Sequence, residues 1–196
     1  MMRALLIASL LGLAGCGGAP TARYYVLSPL DNAPPPQKHD LAVVVASVRL
    51  PQYLDRTEIV TRDGASRLQL ADFAQWGGSL RQDMTRVLVE NLGRLLGSER
   101  VVGAANAPRA APDYRVEVEV LRFERHADGR VRLEAKWWLT RGSDGTPLAS
   151  PSAVLYGAPL PDASPVDAMV ASMSDVYNEL ARAIAAAIRS RPAGGS

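Results

Sequence analysis

The stretch DYRVEVEVLRFERHADGRVRLEAKWWLT, residues 113–140, decides the fold. Its first half alternates apolar and charged side chains, which is typical of a β-strand with one buried face and one solvated face. Asp128-Gly129 is a two-residue turn signal, and the alternation resumes behind it, so the stretch predicts a long antiparallel hairpin. The apolar residues change face between Val120 and Leu121, which predicts a β-bulge at that point.

Two amphipathic helices are predicted on either side of this hairpin. The first runs from Leu80 at helical spacing, with Ser79 as its N-cap and Gly97 closing its end. The second begins at Ser164-Pro165, with Ser164 as the expected N-cap and Pro165 as the first helical residue. Its apolar stripe comprises Val166, Val170, Met173, Tyr177, Leu180, Ile184 and Ile188. We expect this stripe to pack on a sheet; the alternative is that its methionines contact lipid.

Further β-strands are predicted at 23–29, 41–51 and 153–157, where β-branched and aromatic residues are concentrated. Asp63-Gly64 separates two more β-prone segments and indicates a second hairpin. The order of strands, helix, hairpin and helix predicts an α+β domain, with a largely antiparallel sheet and two amphipathic helices packed on one face.

The composition is that of a folded domain with almost no net charge. The chain has 22 basic and 20 acidic residues, and Arg3 is the only charged residue in the first 15, so the remainder carries 21 − 20 = +1. A charge this small gives no electrostatic reason to expect nucleic acid as a partner. The hydrophobic fraction of 47% is sufficient for one core.

The sequence contains no recognisable catalytic or metal-binding motif. G-x-S-x-G, P-loop, H-E-x-x-H and Cys/His spacings do not occur. His39 lies in a Pro-rich loop and His126 beside the hairpin turn, where solvated histidines are expected. Glu117, Glu119 and Glu124 are expected on the solvated face of their strand. The prediction is that the protein is not an enzyme and binds no metal or dissociable cofactor; a hydrolase with an unrecognised site is the alternative.

The amino-terminal residues 1–15 have the pattern of a signal peptide. Arg3 precedes an apolar run that is shorter than the roughly 20 residues of a membrane-spanning helix. The run ends in Leu13-Ala14-Gly15-Cys16, which resembles the lipobox of bacterial lipoproteins. In those proteins the cysteine thiol carries diacylglycerol and the new amine carries an acyl chain. The alternative is an export signal followed by an incidental free cysteine.

These patterns divide the chain into four parts. We expect a lipoprotein signal peptide at 1–15, the lipidated cysteine with a short tether at 16–23, a single periplasmic α+β domain at 24–191 and a disordered tail at 192–196. A tether of seven residues spans at most about 25 Å, so the domain is expected to lie against its own membrane.

Two segments carry a family resemblance. YYVLSP at 24–29 and VRLPQYLDRTEIVTRDGASRLQLADFAQWGGSL at 48–80 resemble the PqiC/YmbA family of ABC-type transport auxiliary lipoproteins. The resemblance implies an outer-membrane lipoprotein partner of an MCE-domain system that moves lipids between membranes and supports membrane integrity. Gly17, rather than an aspartate, follows the lipidated cysteine, which agrees with delivery to the outer membrane of a Gram-negative cell.

The resembling segment also supplies the candidate partner-binding residues, namely Tyr53, Leu54, Arg56, Arg62 and Trp76. Tyrosine, tryptophan and arginine are enriched at interface hot spots, which favours contact with the transport protein or with another copy of the chain. The alternative is that these residues determine the fold. A homo-oligomeric ring would suit a central passage. The second functional interpretation is an envelope scaffold or assembly lipoprotein with no transport role.

Overall fold

A computed structural model describes residues 21–31, 40–162 and 164–191. The predictions for the signal peptide, for Cys16, for His39 and for the tail at 192–196 fall outside the described residues.

The described residues form one sheet with two long helices. The strands are β1 Arg23–Tyr25, β2 Val43–Arg49, β3 Glu58–Asp63, β4 Arg67–Trp76, β5 Val101–Gly103, β6 Tyr114–Arg125, β7 Val131–Arg141, β8 Pro147–Ala149 and β9 Ser152–Tyr156. The helices are α1 Leu80–Leu96 and α2 Val166–Arg189. No helix in these ranges is long and apolar enough to cross a membrane.

The predicted hairpin at 113–140 is the centre of the sheet. β6 and β7 pair in antiparallel register along their whole length, and the register shifts between Val120 and Arg122, which confirms the predicted bulge. The other side of β6 pairs in parallel with β2 and, near Arg125, with β3. β8 and β9 pair with the outer side of β7, whereas β4 joins β3 and β1 joins β4. The α+β class is therefore confirmed, with a mixed sheet.

Both helices cover one face of the sheet. The apolar stripe of α2 is buried apart from its first residue, and the Tyr177 hydroxyl donates a hydrogen bond to the Met84 carbonyl of α1 at 2.9 Å. The packing interpretation of this stripe is therefore confirmed. Ser79 and Gly97 cap α1 as predicted. The predicted cap of α2 is wrong by one residue, because Pro165 itself has the extended conformation of an N-cap and helical geometry begins behind it.

A short segment after β1, residues 27–30, crosses the two helices as a strap. Polar side chains of the helices bind its backbone N–H groups: Leu27 to Asp83 at 2.6 Å, Ser28 to Ser174 at 3.0 Å and Leu30 to Asn91 at 2.8 Å. Asn91 is fully buried and donates its own amide N–H to Asn178 on α2 at 2.6 Å. The strap therefore joins β1 to both helices through one buried and two partly buried hydrogen bonds, and loss of the buried one leaves an unpaired polar group in the core.

Replacing Asn91 with alanine is expected to lower the free energy of unfolding by about 1–3 kcal/mol, because the Leu30 N–H and the side-chain Oδ1 of Asn178 lose their partner. Urea unfolding measures the free energy, and amide hydrogen exchange at Leu30 should become faster. Asn106→Ala is the matched control, since Asn106 is exposed. Equal stability of the two variants would contradict the structural role of the strap.

Candidate partner-binding surface

The five candidate residues from the sequence do not form one exposed face. Leu54 and Trp76 lie in the core, with 2% and 4% of their surface exposed. Arg56 is exposed, and its guanidinium pairs with Glu58 at 2.9 Å. The positions of Leu54 and Trp76 favour the alternative interpretation, in which these residues determine the fold.

Tyr53 and Arg62 converge on a carboxylate that the sequence pattern assigned to the solvated face of its strand. Glu124, near the end of β6, is fully buried. Arg62 Nε donates to its Oε1 at 2.8 Å, while the Tyr53 hydroxyl and the Phe123 N–H each donate to its Oε2 at 2.8 Å. The Arg62 guanidinium also lies over the Tyr53 ring, 5.8 Å from its centroid. The expectation that Glu124 is solvated is wrong, because these two side chains cover it.

The electrostatics of this Glu124 cluster favour a permanent ion pair rather than proton transfer. Burial and the neighbouring Glu124 charge raise the pKa of Tyr53, so its hydroxyl remains protonated. The hydrogen bond to Glu124 raises the pKa of Arg62, which keeps the guanidinium charged. In the ranges that the structure covers, no group of three or more His, Cys, Asp or Glu side chains could hold a metal ion. The cluster therefore stabilises the fold around the turn that follows β2.

His126 lies at the edge of the cluster and is mostly buried, so the expectation of a solvated histidine is wrong. Its Nε2 is 3.6 Å from Glu124 Oε1. Burial lowers the pKa of His126 and outweighs the attraction of Glu124, while Arg132 and Arg62 lower it and Asp128 raises it. The imidazole is consequently neutral in the folded protein at a pH where it is partly protonated in the unfolded chain.

The folded protein is expected to lose stability as the pH falls below about 6.5, the ordinary pKa of histidine. The unfolded chain then binds a proton that the folded His126 takes up only at lower pH, so protonation favours unfolding. His126→Gln should weaken this pH dependence, as measured by the difference in free energy of unfolding between about pH 7.5 and 5.5. An unchanged pH dependence in the variant would contradict the assignment.

A groove of about 900 Å³ lies between α1 and the outer edge of β2. β5 pairs with residues 43–45 of β2, and among the described residues no strand pairs with the outer edge of 46–49. Thr85 and Val89 of α1 form the wall opposite this edge, and the turn at 103–106 closes one end. An unpaired strand edge offers backbone donors and acceptors that can pair with an extended segment of another chain.

Each charged side chain that lines the groove has an ion-pair partner. Arg49 pairs with Glu117 at 3.0 Å, Arg81 pairs with Asp55, and Arg86 binds Glu90 at 2.9 Å. These ion pairs leave a mouth of balanced charge above a floor of backbone and apolar side chains. The groove therefore suits an extended segment of low net charge. No sequence pattern predicts the groove, because β5 has only three residues, too few for a recognisable strand pattern.

Comparisons with known proteins agree with the resemblance and with the fold. A family model described as "ABC-type transport auxiliary lipoprotein component" matches residues 25–185. The crystal structure of an uncharacterized protein superposes with a TM-score of 0.70 and 23% identity over 86% of this chain and 99% of that one. The crystal structure of a Xanthomonas campestris protein of the DUF330 family gives a TM-score of 0.67 and 19% identity over 84% of this chain and 93% of that one. At these identities the two structures show a shared fold. No curated protein matches the sequence.

Proposed function

Because the chain belongs to the family of ABC-type transport auxiliary lipoprotein components, we propose a role in lipid transport. The proposed role is that of an outer-membrane-anchored subunit of an MCE/ABC-type intermembrane lipid transport system. Membership itself indicates a membrane-anchored place in the cell envelope and a transporter partner, and the family is not one of enzymes. The observation that carries the proposal is the family match over residues 25–185.

The proposed anchor is Cys16, with diacylglycerol on its thiol and an acyl chain on its amine. The pattern Leu13-Ala14-Gly15-Cys16 supports it, as does the position of β1, which begins at Arg23 and leaves a short tether. The domain then lies on the periplasmic face of the outer membrane and supports membrane integrity by docking the transport conduit there.

The proposed partner is an MCE-domain protein, one extended segment of which pairs with β2 in the groove. The free strand edge and the neutral mouth support this choice of surface. Arg56 remains a proposed contact because it is exposed beside Asp55, which holds Arg81 at the groove mouth. Tyr53, Leu54, Arg62 and Trp76 would then act indirectly, by holding this region in shape. Several copies arranged as a ring would surround the conduit.

Site-specific photocrosslinking in the native host tests this proposal. A photoreactive amino acid replaces Gln82, which lines the groove, and in a matched variant it replaces Asp175, which is exposed on α2. Capture of an MCE-domain protein from position 82, little capture from 175, and loss of capture on Cys16→Ala are expected. Capture of only porins, assembly factors or peptidoglycan-linked proteins would overturn the transport role and favour an envelope scaffold.

A further inference from the structure

Exposed apolar side chains collect where the chain enters the domain. We infer that Tyr24, Leu68, Leu70 and Phe73, here called the hairpin patch, form a second membrane contact that inserts into the surface of the bilayer holding the anchor. The inference rests on the proposed acylation of Cys16. It adds an orientation to that proposal, because an anchor at Cys16 alone does not fix which face of the domain meets the membrane.

The hairpin patch belongs to the outer part of the sheet, formed by β1, β4 and β3. Tyr24 and Glu58 both pair with Gln75 of β4, so they lie in one row across the sheet. Leu70 pairs with Val60, two residues after Glu58 on β3. Residues of one row share a face, and successive residues of a strand alternate between faces. Thr61 of β3 shares a row with Arg125, and Phe123, two residues before Arg125, packs against Tyr177 of α2. Ile59 and Thr61 therefore face the helices, and Tyr24, Val60 and Leu70 lie on the opposite face, where Val60 itself is buried. Leu68, two residues from Leu70, shares this face as well.

Phe73 is presented by an irregular backbone. Between the pairs Glu58–Gln75 and Val60–Leu70, residues 71–74 of β4 lie opposite a single residue of β3. Within this bulge Phe73 has φ +53°, a left-handed conformation that is costly for a bulky residue. The side chain that this conformation presents is 53% exposed. The domain thus exposes about half of an aromatic side chain at the cost of local backbone strain.

The position of the tether selects lipid as the occupant of the hairpin patch. β1 runs parallel to β4 with Arg23 opposite Ala74, so the chain enters the sheet beside Phe73. Cys16 precedes Arg23 by seven residues, which span at most about 25 Å by any path. An acylated Cys16 therefore keeps the patch close to the membrane. Aromatic and aliphatic side chains on such a surface can enter roughly 5–10 Å into the headgroup region.

A fluorescent label tests the contact in the acylated full chain. Cys16 is the only cysteine, and its thiol is occupied after acylation, so Phe73→Cys introduces the single reactive thiol. Tyr156→Cys is the matched control, because Tyr156 is 51% exposed on β9, at the edge of the sheet opposite β1 and β4. Each variant carries an NBD label in vesicles of phosphatidylethanolamine and phosphatidylglycerol, with or without doxyl-labelled phospholipid. Leu70→Cys provides a second labelled position in the hairpin patch.

We expect the labels at positions 73 and 70 to emit at shorter wavelength on vesicles and to be quenched severalfold more strongly by doxyl lipid than the label at 156. Equal, weak quenching at all three positions of a vesicle-bound protein would overturn the membrane contact and leave the anchor intact. A blue shift without lipid quenching would mean that a protein covers the patch, which also overturns it. A chain that does not float with vesicles would overturn the anchor, and this inference with it.

Discussion

Replacing Glu124 with alanine is expected to lower the free energy of unfolding by about 3–5 kcal/mol. The substitution leaves the Arg62 guanidinium, only 11% exposed, without its carboxylate. It also removes the acceptor of the Phe123 N–H and the nearer of two acceptors of the Tyr53 hydroxyl, the other being the Leu121 carbonyl at 3.3 Å. A buried charge left without its partner, together with a buried N–H that loses its acceptor, is among the costliest consequences of a single substitution. Urea unfolding at neutral pH measures the difference.

Glu117→Ala is the matched control for this prediction. Glu117 lies on the same strand and pairs with Arg49 at 3.0 Å, but both side chains are about half-exposed. Exposed pairs contribute about 0–1 kcal/mol, so this variant should remain close to the wild type. Similar losses in the two variants would mean that the Glu124 cluster contributes no more than a surface ion pair.

The second large effect is expected for Trp76→Ala. This substitution should lower the free energy of unfolding by about 3–5 kcal/mol, because it removes a large buried ring from the core. Arg56→Ala should change the unfolding free energy by no more than about 0.5 kcal/mol, since Arg56 is exposed. The effects on capture of the transport partner should be the opposite of the effects on stability. When both variants are folded, at low temperature, Arg56→Ala should weaken capture and Trp76→Ala should not.

A Trp76→Ala protein with wild-type stability that no longer captures the partner would contradict this assignment. It would restore the interpretation of Trp76 as a contact residue. The comparison therefore separates the two roles that the sequence left open for the candidate residues.

The parts of the fold that sequence analysis predicted are those with a long, regular pattern. The β6–β7 hairpin has alternation on both sides of Asp128-Gly129, and α2 repeats its apolar stripe over many turns. Strands β5 and β8 have three residues each, so no period can be recognised in them. The parallel pairing of β2 with β6 depends on how the intervening helix returns the chain to the sheet, which local periodicity does not encode.

The candidate site was harder to predict because its properties come from distant residues. Glu124 occupies a position in β6 that alternation assigns to solvent, yet Tyr53 and Arg62, from 62 to 71 residues away, cover it. Tryptophan and leucine occur both at interfaces and in cores, so the residue types of Trp76 and Leu54 do not distinguish the two roles. Only the tertiary fold decides between them. The groove depends on the outer edge of residues 46–49 having no strand partner among the described residues, which no residue of β2 can signal.

The strap at residues 27–30 determines how the domain would respond to mechanical tension. β1 is held side by side with residues 74–76, and the strap behind it is fastened to α1 and α2. A pull on Arg23 along the axis of β1 loads these hydrogen bonds simultaneously in shear, whereas a hairpin pulled at its open end breaks its bonds one after another. Force applied through a lipid anchor is thus distributed over the sheet and both helices. If Cys16 is acylated as proposed, the domain would resist being peeled open from its attachment point.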